Sequence, residues 1–152
     1  MSVTKINLIL FGIGNVGSAL INQVIKQQQY LFEEKNIDLV LAVITNSTLA
    51  FFEREDQKNR WDADFTKSPA PFTIQNIIDY TAEAELDNLI AIDATTSTEI
   101  IKSYNLLLEN DFKILSVNSN NTSKQVQISP EKILNSVLEI AENISNHKRQ
   151  IA

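Results

Sequence analysis

Cysteine is absent from the 152 residues, histidine occurs once, and glycine and proline occur three times each. Without cysteine there is no disulfide, no thiolate-held metal and no cysteine nucleophile. A single histidine, His147, removes any multi-histidine metal cluster. Asp56, Asp62 and Asp64 stand at no ligand spacing, so they read as a solvated acidic face and no metal site is expected. Basic side chains are in the minority: 13 Lys and Arg face 19 Asp and Glu, a formal net charge of -6. An acidic surface repels phosphate backbones, so nucleic acid is not an expected partner. Long hydrophobic runs are missing too. The apolar run at 6–11 is far below the ~18–20 residues that span a bilayer, and no small-residue cleavage site follows it. The chain is therefore expected to avoid membranes and to be cytoplasmic.

What is present suits one folded domain over 1–152. At ~100–200 residues per domain the length allows one, and 43% hydrophobic against 21% charged residues is an ordinary globular balance. Residues 5–11 (KINLILF) and 39–45 (LVLAVIT) are nearly continuous apolar runs, the pattern of strands buried on both faces of a parallel sheet. Between them a helix is expected from Asn15 to about Tyr30, with Val16, Ala19, Leu20 and Val24 at helical spacing. Further strands are expected at 89–93 (LIAID) and 112–117 (FKILSV). Helices are expected at 73–83, 98–110 and 130–146. The second of these would turn Ile100, Ile101, Tyr104, Leu107 and Leu108 inward. The third would start with Ser129 as its N-cap and Pro130 in its first turn, and end near cations that suit the helix dipole. The stretch 46–71 is the least regular; there Phe51-Phe52 is read as opening a short helix, and Ser68-Pro69-Ala70-Pro71 as a turn or linker. Strands alternating with helices predict a doubly wound α/β fold, a Rossmann-like parallel sheet with helices on both faces.

All three glycines fall in one motif, Gly12-Ile13-Gly14-Asn15-Val16-Gly17, directly after the first strand. Scattered at random, three glycines would take this spacing about once in four thousand arrangements. Gly12 permits the tight turn out of the strand, Gly14 lets a pyrophosphate approach the backbone, and Gly17 lets helix and strand pack closely. The helix start then offers unpaired N–H groups to phosphates. An acid about 20 residues past the motif would hold the ribose hydroxyls of NAD. Here the second strand ends in Thr45-Asn46-Ser47, with neither that acid nor an arginine for a 2′-phosphate. The cofactor expectation is NADP or NAD.

Four stretches in order resemble the nucleotide-binding half of homoserine dehydrogenases, particularly those fused to aspartokinase. They are LILFGIGNVGSALINQVIKQQQYL (8–31), IDLVLAVITNS (37–47), IAIDATTSTEIIKSY (90–104) and NDFKILSVNSNNTS (110–123). Trp61 and Pro71-Phe72 also fall where related enzymes have such residues. The resemblance covers about 6–123. It implies an oxidoreductase of amino-acid biosynthesis that reduces aspartate semialdehyde to homoserine with NADH or NADPH. It also implies that residues 12–17 hold the pyrophosphate and that Asn46 and Ser47 lie near the adenosine ribose. Thr95, Thr96 and Ser97 would line the nicotinamide side, and Asn118, matching the family's asparagine, would be among the cofactor-binding residues. Where the family has a lysine after that asparagine, this chain has Ser119, and Lys124 reads as a solvated loop residue. No catalytic residue is assigned. The family's dimerisation and substrate-binding domain has no counterpart before Ala152, so the chain is expected not to be catalytically complete alone. The implied alternative is a non-catalytic NAD(P)-binding module or a subunit of another Rossmann-type oxidoreductase. The last helix is read as packing within the monomer, with pairing to a second copy as the alternative; the expected partners are the dinucleotide and either such a second copy or a separate catalytic domain.

Overall fold

A computed structural model describes residues 3–46, 49–52, 70–122 and 126–151. Six strands form one sheet: β1 (Thr4–Phe11), β2 (Ile37–Thr45), β3 (Leu49–Phe52), β4 (Ala70–Pro71), β5 (Leu89–Asp93) and β6 (Phe112–Ser116), in the order β4-β3-β2-β1-β5-β6. The four strands expected from apolar runs, β2-β1-β5-β6, pair in parallel. Here β3 runs antiparallel to β2, and β4 antiparallel to β3. Phe51-Phe52 thus lies in a strand, not at the start of a helix. A short apolar run carries no period that separates the two states, and the free edge of β2 decides it by offering backbone partners opposite Val43 and Ile44. The charged segment 53–60, Trp61, Ser68-Pro69, Asp56, Asp62, Asp64 and Lys124 lie outside the described residues.

Successive side chains of a strand point to opposite faces, and β1 divides the core accordingly. Ile6, Leu8 and Leu10 pack on one face with Leu20 and Val24 of α1 (Asn15–Tyr30). Ile9 and Phe11 pack on the other with Ile77 and Ile78 of α2 (Ile74–Glu83). Thr73 caps α2: its hydroxyl accepts from Asn76 N–H while the Asn76 side chain accepts from Thr73 N–H, a reciprocal capping box.

The helix expected over 98–110 is two helices, α3 (Thr98–Lys102) and α4 (Tyr104–Glu109). At the break Ser103 Oγ donates back to the Glu99 carbonyl, a contact that bends helices. The bend carries Tyr104 and Leu107 into the core and leaves Leu108 about half exposed, not inward. The last helix opens with a 3-10 turn (Pro130–Lys132) and continues as α5 (Ile133–Ile151). Ser129 makes no side-chain cap there. Its carbonyl instead accepts from Lys132 N–H and closes the turn. Ile133, Val137 and Ala141 bury against the α1 face of the sheet, so the apolar stripe of α5 packs within the chain. No helix among the described residues is long and apolar enough to cross a membrane.

A tight backbone approach joins the turn after β1 to α1. A Cβ added at Gly17 would overlap the Gly12 carbonyl oxygen, whereas one added at Gly14 meets no atom within 4 Å. Gly17→Ala is therefore expected to cost about 3 kcal/mol, the upper part of the usual overpacking range. At ~2–4 °C per kcal/mol for a domain of this size, that lowers Tm by roughly 6–12 °C. Gly14→Ala should change stability by less than about 1 kcal/mol. Thermal unfolding of the two variants side by side checks this, and equal midpoints would refute the close-packing account.

Candidate functional site

Four parallel strands end side by side, and each end is tied to its neighbour through the backbone. Gly12 N–H donates to the Thr45 carbonyl at 2.9 Å and Ala94 N–H to the Phe11 carbonyl at 2.8 Å. Val117 N–H donates to the Asp93 carbonyl at 2.9 Å. The chain leaves β1 toward α1 on one face and returns through β5 on the other side of β1, so the sheet reverses its winding between β1 and β5. A crevice opens beyond the strand ends at such a point.

Here the crevice is a cleft of about 770 Å³, within the size range of small-molecule sites. Gly12, Ile13 and Gly14 form its centre; Thr45, Asn46, Phe72, Thr73 and Ile74 lie to the β2 side; Ala94, Thr95, Thr96, Ser97, Glu99, Ile100 and Ser103 lie to the β5 side. Gly12 sits at φ 101°, a conformation L side chains rarely adopt, and a Cβ there would stand 2.6 Å from the Ala94 carbonyl oxygen. Gly14 is the N-cap of α1 and places no side chain over its first turn. The first amides of a helix have no carbonyl partners within it, and the dipole favours negative charge there. Open space at Gly14 next to such amides is what a pyrophosphate needs to reach the backbone. The donor set is neutral: Glu99 is the one ionisable residue among the described lining, and it is exposed and paired with Lys102 at 3.1 Å. The geometry suits a dinucleotide phosphate bridge.

Asn15 and Val16 stand in the first turn of α1, and Gly17 is buried beneath it; none of the three lines the cleft. Asn46, Thr95, Thr96 and Ser97 do line it. Ser47 lies outside the described residues. Asn118 is fully buried below the cleft wall. Its amide donates to Asp93 Oδ2 at 3.0 Å and to the Ser97 carbonyl at 2.9 Å, and its Oδ1 accepts from Asn120 N–H at 2.9 Å. The position read as a cofactor contact therefore sits under the wall, with both ends of its amide engaged.

Beneath the cleft Asp93, 1% exposed, gathers donors. Thr95 gives its N–H at 3.0 Å and its hydroxyl at 2.6 Å to Oδ1. Oδ2 lies 2.6 Å from the Tyr104 hydroxyl, whose oxygen is also 2.7 Å from Ser116 Oγ. Sequence reasoning turned Tyr104 inward, as observed, but gave neither Tyr104 nor Asp93 a part in the site. The available signal was an acid ending an otherwise apolar strand, a position where a carboxyl group is buried and must find donors. Phe72 and Thr73 reach the cleft from the segment between β4 and α2; sequence reasoning assigned them no site role beyond the Pro71-Phe72 match.

A sequence profile described as "Homoserine dehydrogenase, NAD binding domain" matches residues 12–130. The chain belongs to that family. Within it, the chain is 31% identical over 121 residues to the bifunctional aspartokinase/homoserine dehydrogenase of Buchnera aphidicola, covering 78% of this chain and 15% of that protein. It is 25% identical over 126 residues to the enzyme of the same description from Haemophilus influenzae, again 15% of that protein. The chain thus spans about 15% of the length of these curated relatives. The fold matches S. aureus homoserine dehydrogenase with TM-score 0.58 at 15% identity, over 93% of this chain and 31% of that one. It matches a hyperthermophilic archaeal homoserine dehydrogenase in complex with NADPH with TM-score 0.58 at 16% identity, over 91% and 41%. For a member of this NAD-binding-domain family the cofactor class is a nicotinamide dinucleotide.

Burial first, and then the bond to Asp93, raise the Tyr104 phenol above its ordinary value of 10. A folded value above the unfolded one makes the stabilisation complete below about pH 10 and loses it as the pH rises further. Tyr104→Phe should be about 1–2 kcal/mol less stable than the parent near neutrality, where it forfeits these hydrogen bonds. That gap should narrow between about pH 9 and pH 11.5, as the unfolded parent gains the option to ionise. Denaturant unfolding of both chains across that range measures it; a gap that is constant or widens contradicts the buried-phenol assignment.

Proposed function

We propose that the chain holds NAD or NADP in the cleft beyond β1 and β5, as the dinucleotide-binding part of an oxidoreductase of the homoserine dehydrogenase type. The observation that carries this reading is the empty space at Gly14 over an uncapped helix start. In this reading Gly12, Ile13 and Gly14, with the first amides of α1, take the pyrophosphate. Asn46 and the neighbouring Ser47 serve the adenosine ribose, and residues 95–97 serve the nicotinamide side. The bound dinucleotide supplies hydride-transfer chemistry. The chain's own groups bind and orient it, and Phe72, Ile74 and Ile100 furnish the apolar part of the wall.

Reduction of a semialdehyde also needs a group that polarises the carbonyl and a proton source. The cleft's neutral hydroxyls and amides do not supply the cation, and Ser119, exposed on the loop after β6, stands where the resemblance would put a lysine. Turnover in this reading draws on residues outside this chain. Ser119 equally favours a second reading, a module that binds NAD(P) without turning it over. An activity assay on the chain together with a homoserine dehydrogenase catalytic domain separates the two.

The binding itself is tested by calorimetric titration with NADH and NADPH in parallel. Micromolar affinity for at least one is expected. Gly14→Val, which projects into open space and not into the core, should weaken binding by more than about tenfold, or ~1.4 kcal/mol, with the unfolding midpoint nearly unchanged. Undiminished binding by Gly14→Val would sink the phosphate-cradle assignment.

A further inference from the structure

The loop leaving β6 is stapled to the turn leaving β5. Asn118 Nδ2 lies 2.9 Å from the Ser97 carbonyl, 3.0 Å from Asp93 Oδ2 and 3.3 Å from Thr95 Oγ1. An amide has two protons, so the two shorter contacts claim them. Asn120 Nδ2 adds a bond to the Thr96 carbonyl at 2.7 Å. Asn118 Oδ1 in turn holds the Asn120 N–H at 2.9 Å, which fixes the second staple from the first. From the other side, Thr95 Oγ1 reaches Asp93 Oδ1 and accepts from Ser97 N–H at 3.1 Å. All three turn residues are thus held from below, and all three line the cleft.

We infer that Asn118 and Asn120 are positioning residues that set this wall for the nicotinamide half of the dinucleotide. The inference rests on the cofactor reading given above. Residues 95–97 and Asn46 flank the glycine turn on opposite sides, because β5 and β2 flank β1. A ligand whose phosphates sit on the glycine turn places one nucleoside on each side, and the ribose next to the β2 end belongs to the adenosine. The staples therefore act on the other half. Because Asn120 is exposed and Asn118 buried, the two can be removed at different cost to the fold.

The experiment titrates the parent, Asn120→Ala and Asn118→Ala with NADH, NADPH and ADP, and follows thermal unfolding of each chain. ADP carries the adenosine and both phosphates and leaves the 95–97 wall unused. Asn120→Ala is expected to bind the better dinucleotide roughly fivefold more weakly, the loss of about one hydrogen bond's worth of order, with ADP affinity and Tm unchanged. Asn118→Ala should lose more dinucleotide affinity at a lower Tm while still binding ADP as the parent does. Should Asn118→Ala fail to fold, Asn120→Ala alone decides. Dinucleotide affinity unchanged in Asn120→Ala overturns the inference, as does an equal loss for ADP, which would mark a general loosening of the fold. Parent binding in those cases leaves the cofactor reading standing; a parent that binds neither ligand overturns both.

Discussion

A carboxyl group taken out of water must find donors, and the turns around this cleft are arranged to bring them to Asp93. They come from the turn that follows β5, from α4 and from the loop that follows β6. Left unpaired at 1% exposure, the group would cost on the order of several kcal/mol. That penalty constrains the local path of the chain. The helix after β5 breaks at Ser103, and the tyrosine that follows the break comes down onto the sheet within reach of Oδ2. The loop after β6 folds over the strand end so that Asn118 reaches the same oxygen. The cleft wall at 95–97 is the upper surface of that arrangement, so the site's shape follows from a satisfied buried acid.

The two sides of the cleft differ in how plainly the sequence announces them. The glycine turn is local. Gly12 must hold a positive φ against the Ala94 carbonyl, Gly17 must pass under the Gly12 carbonyl, and no other residue type serves either place. Such constraints are written into six consecutive positions and read directly. The cluster joins Asp93 to residues 11 and 25 positions away, and nothing in the spacing of an aspartate, a tyrosine, a serine and an asparagine reports that they meet. Asn118 shows the consequence. The resemblance matched it to the family's asparagine, yet whether such a loop residue faces the cleft or the core depends on the path of the loop. The same reasoning covers Phe51-Phe52, where the free edge of β2, and no property of the two phenylalanines, selects a strand.

Charge adds a further constraint. The chain carries a net -6, and the described cleft lining has no basic side chain, so attraction of an anionic ligand has to be short-ranged. Backbone amides at the start of a helix provide that, because their field acts within the first turn and reaches only a group that comes close. Close approach in turn requires that no side chain stand at Gly14. The electrostatic and steric requirements therefore converge on one residue, and the bareness of Gly14 matters more to this site than any charged group.

A wall of neutral amides and hydroxyls also bears on what the site does with its ligand. Ionised groups near a nicotinamide ring could move protons or polarise a carbonyl, whereas the groups at 95–97 are engaged with one another and with the asparagines beneath them. Their bonds fix direction at little electrostatic cost, and under the proposed cofactor reading they leave the chemistry to groups outside this lining. This division suits a chain whose matched relatives carry most of their length outside the region it covers: under the proposed reading one segment supplies an uncharged cradle, and the reacting groups come from elsewhere.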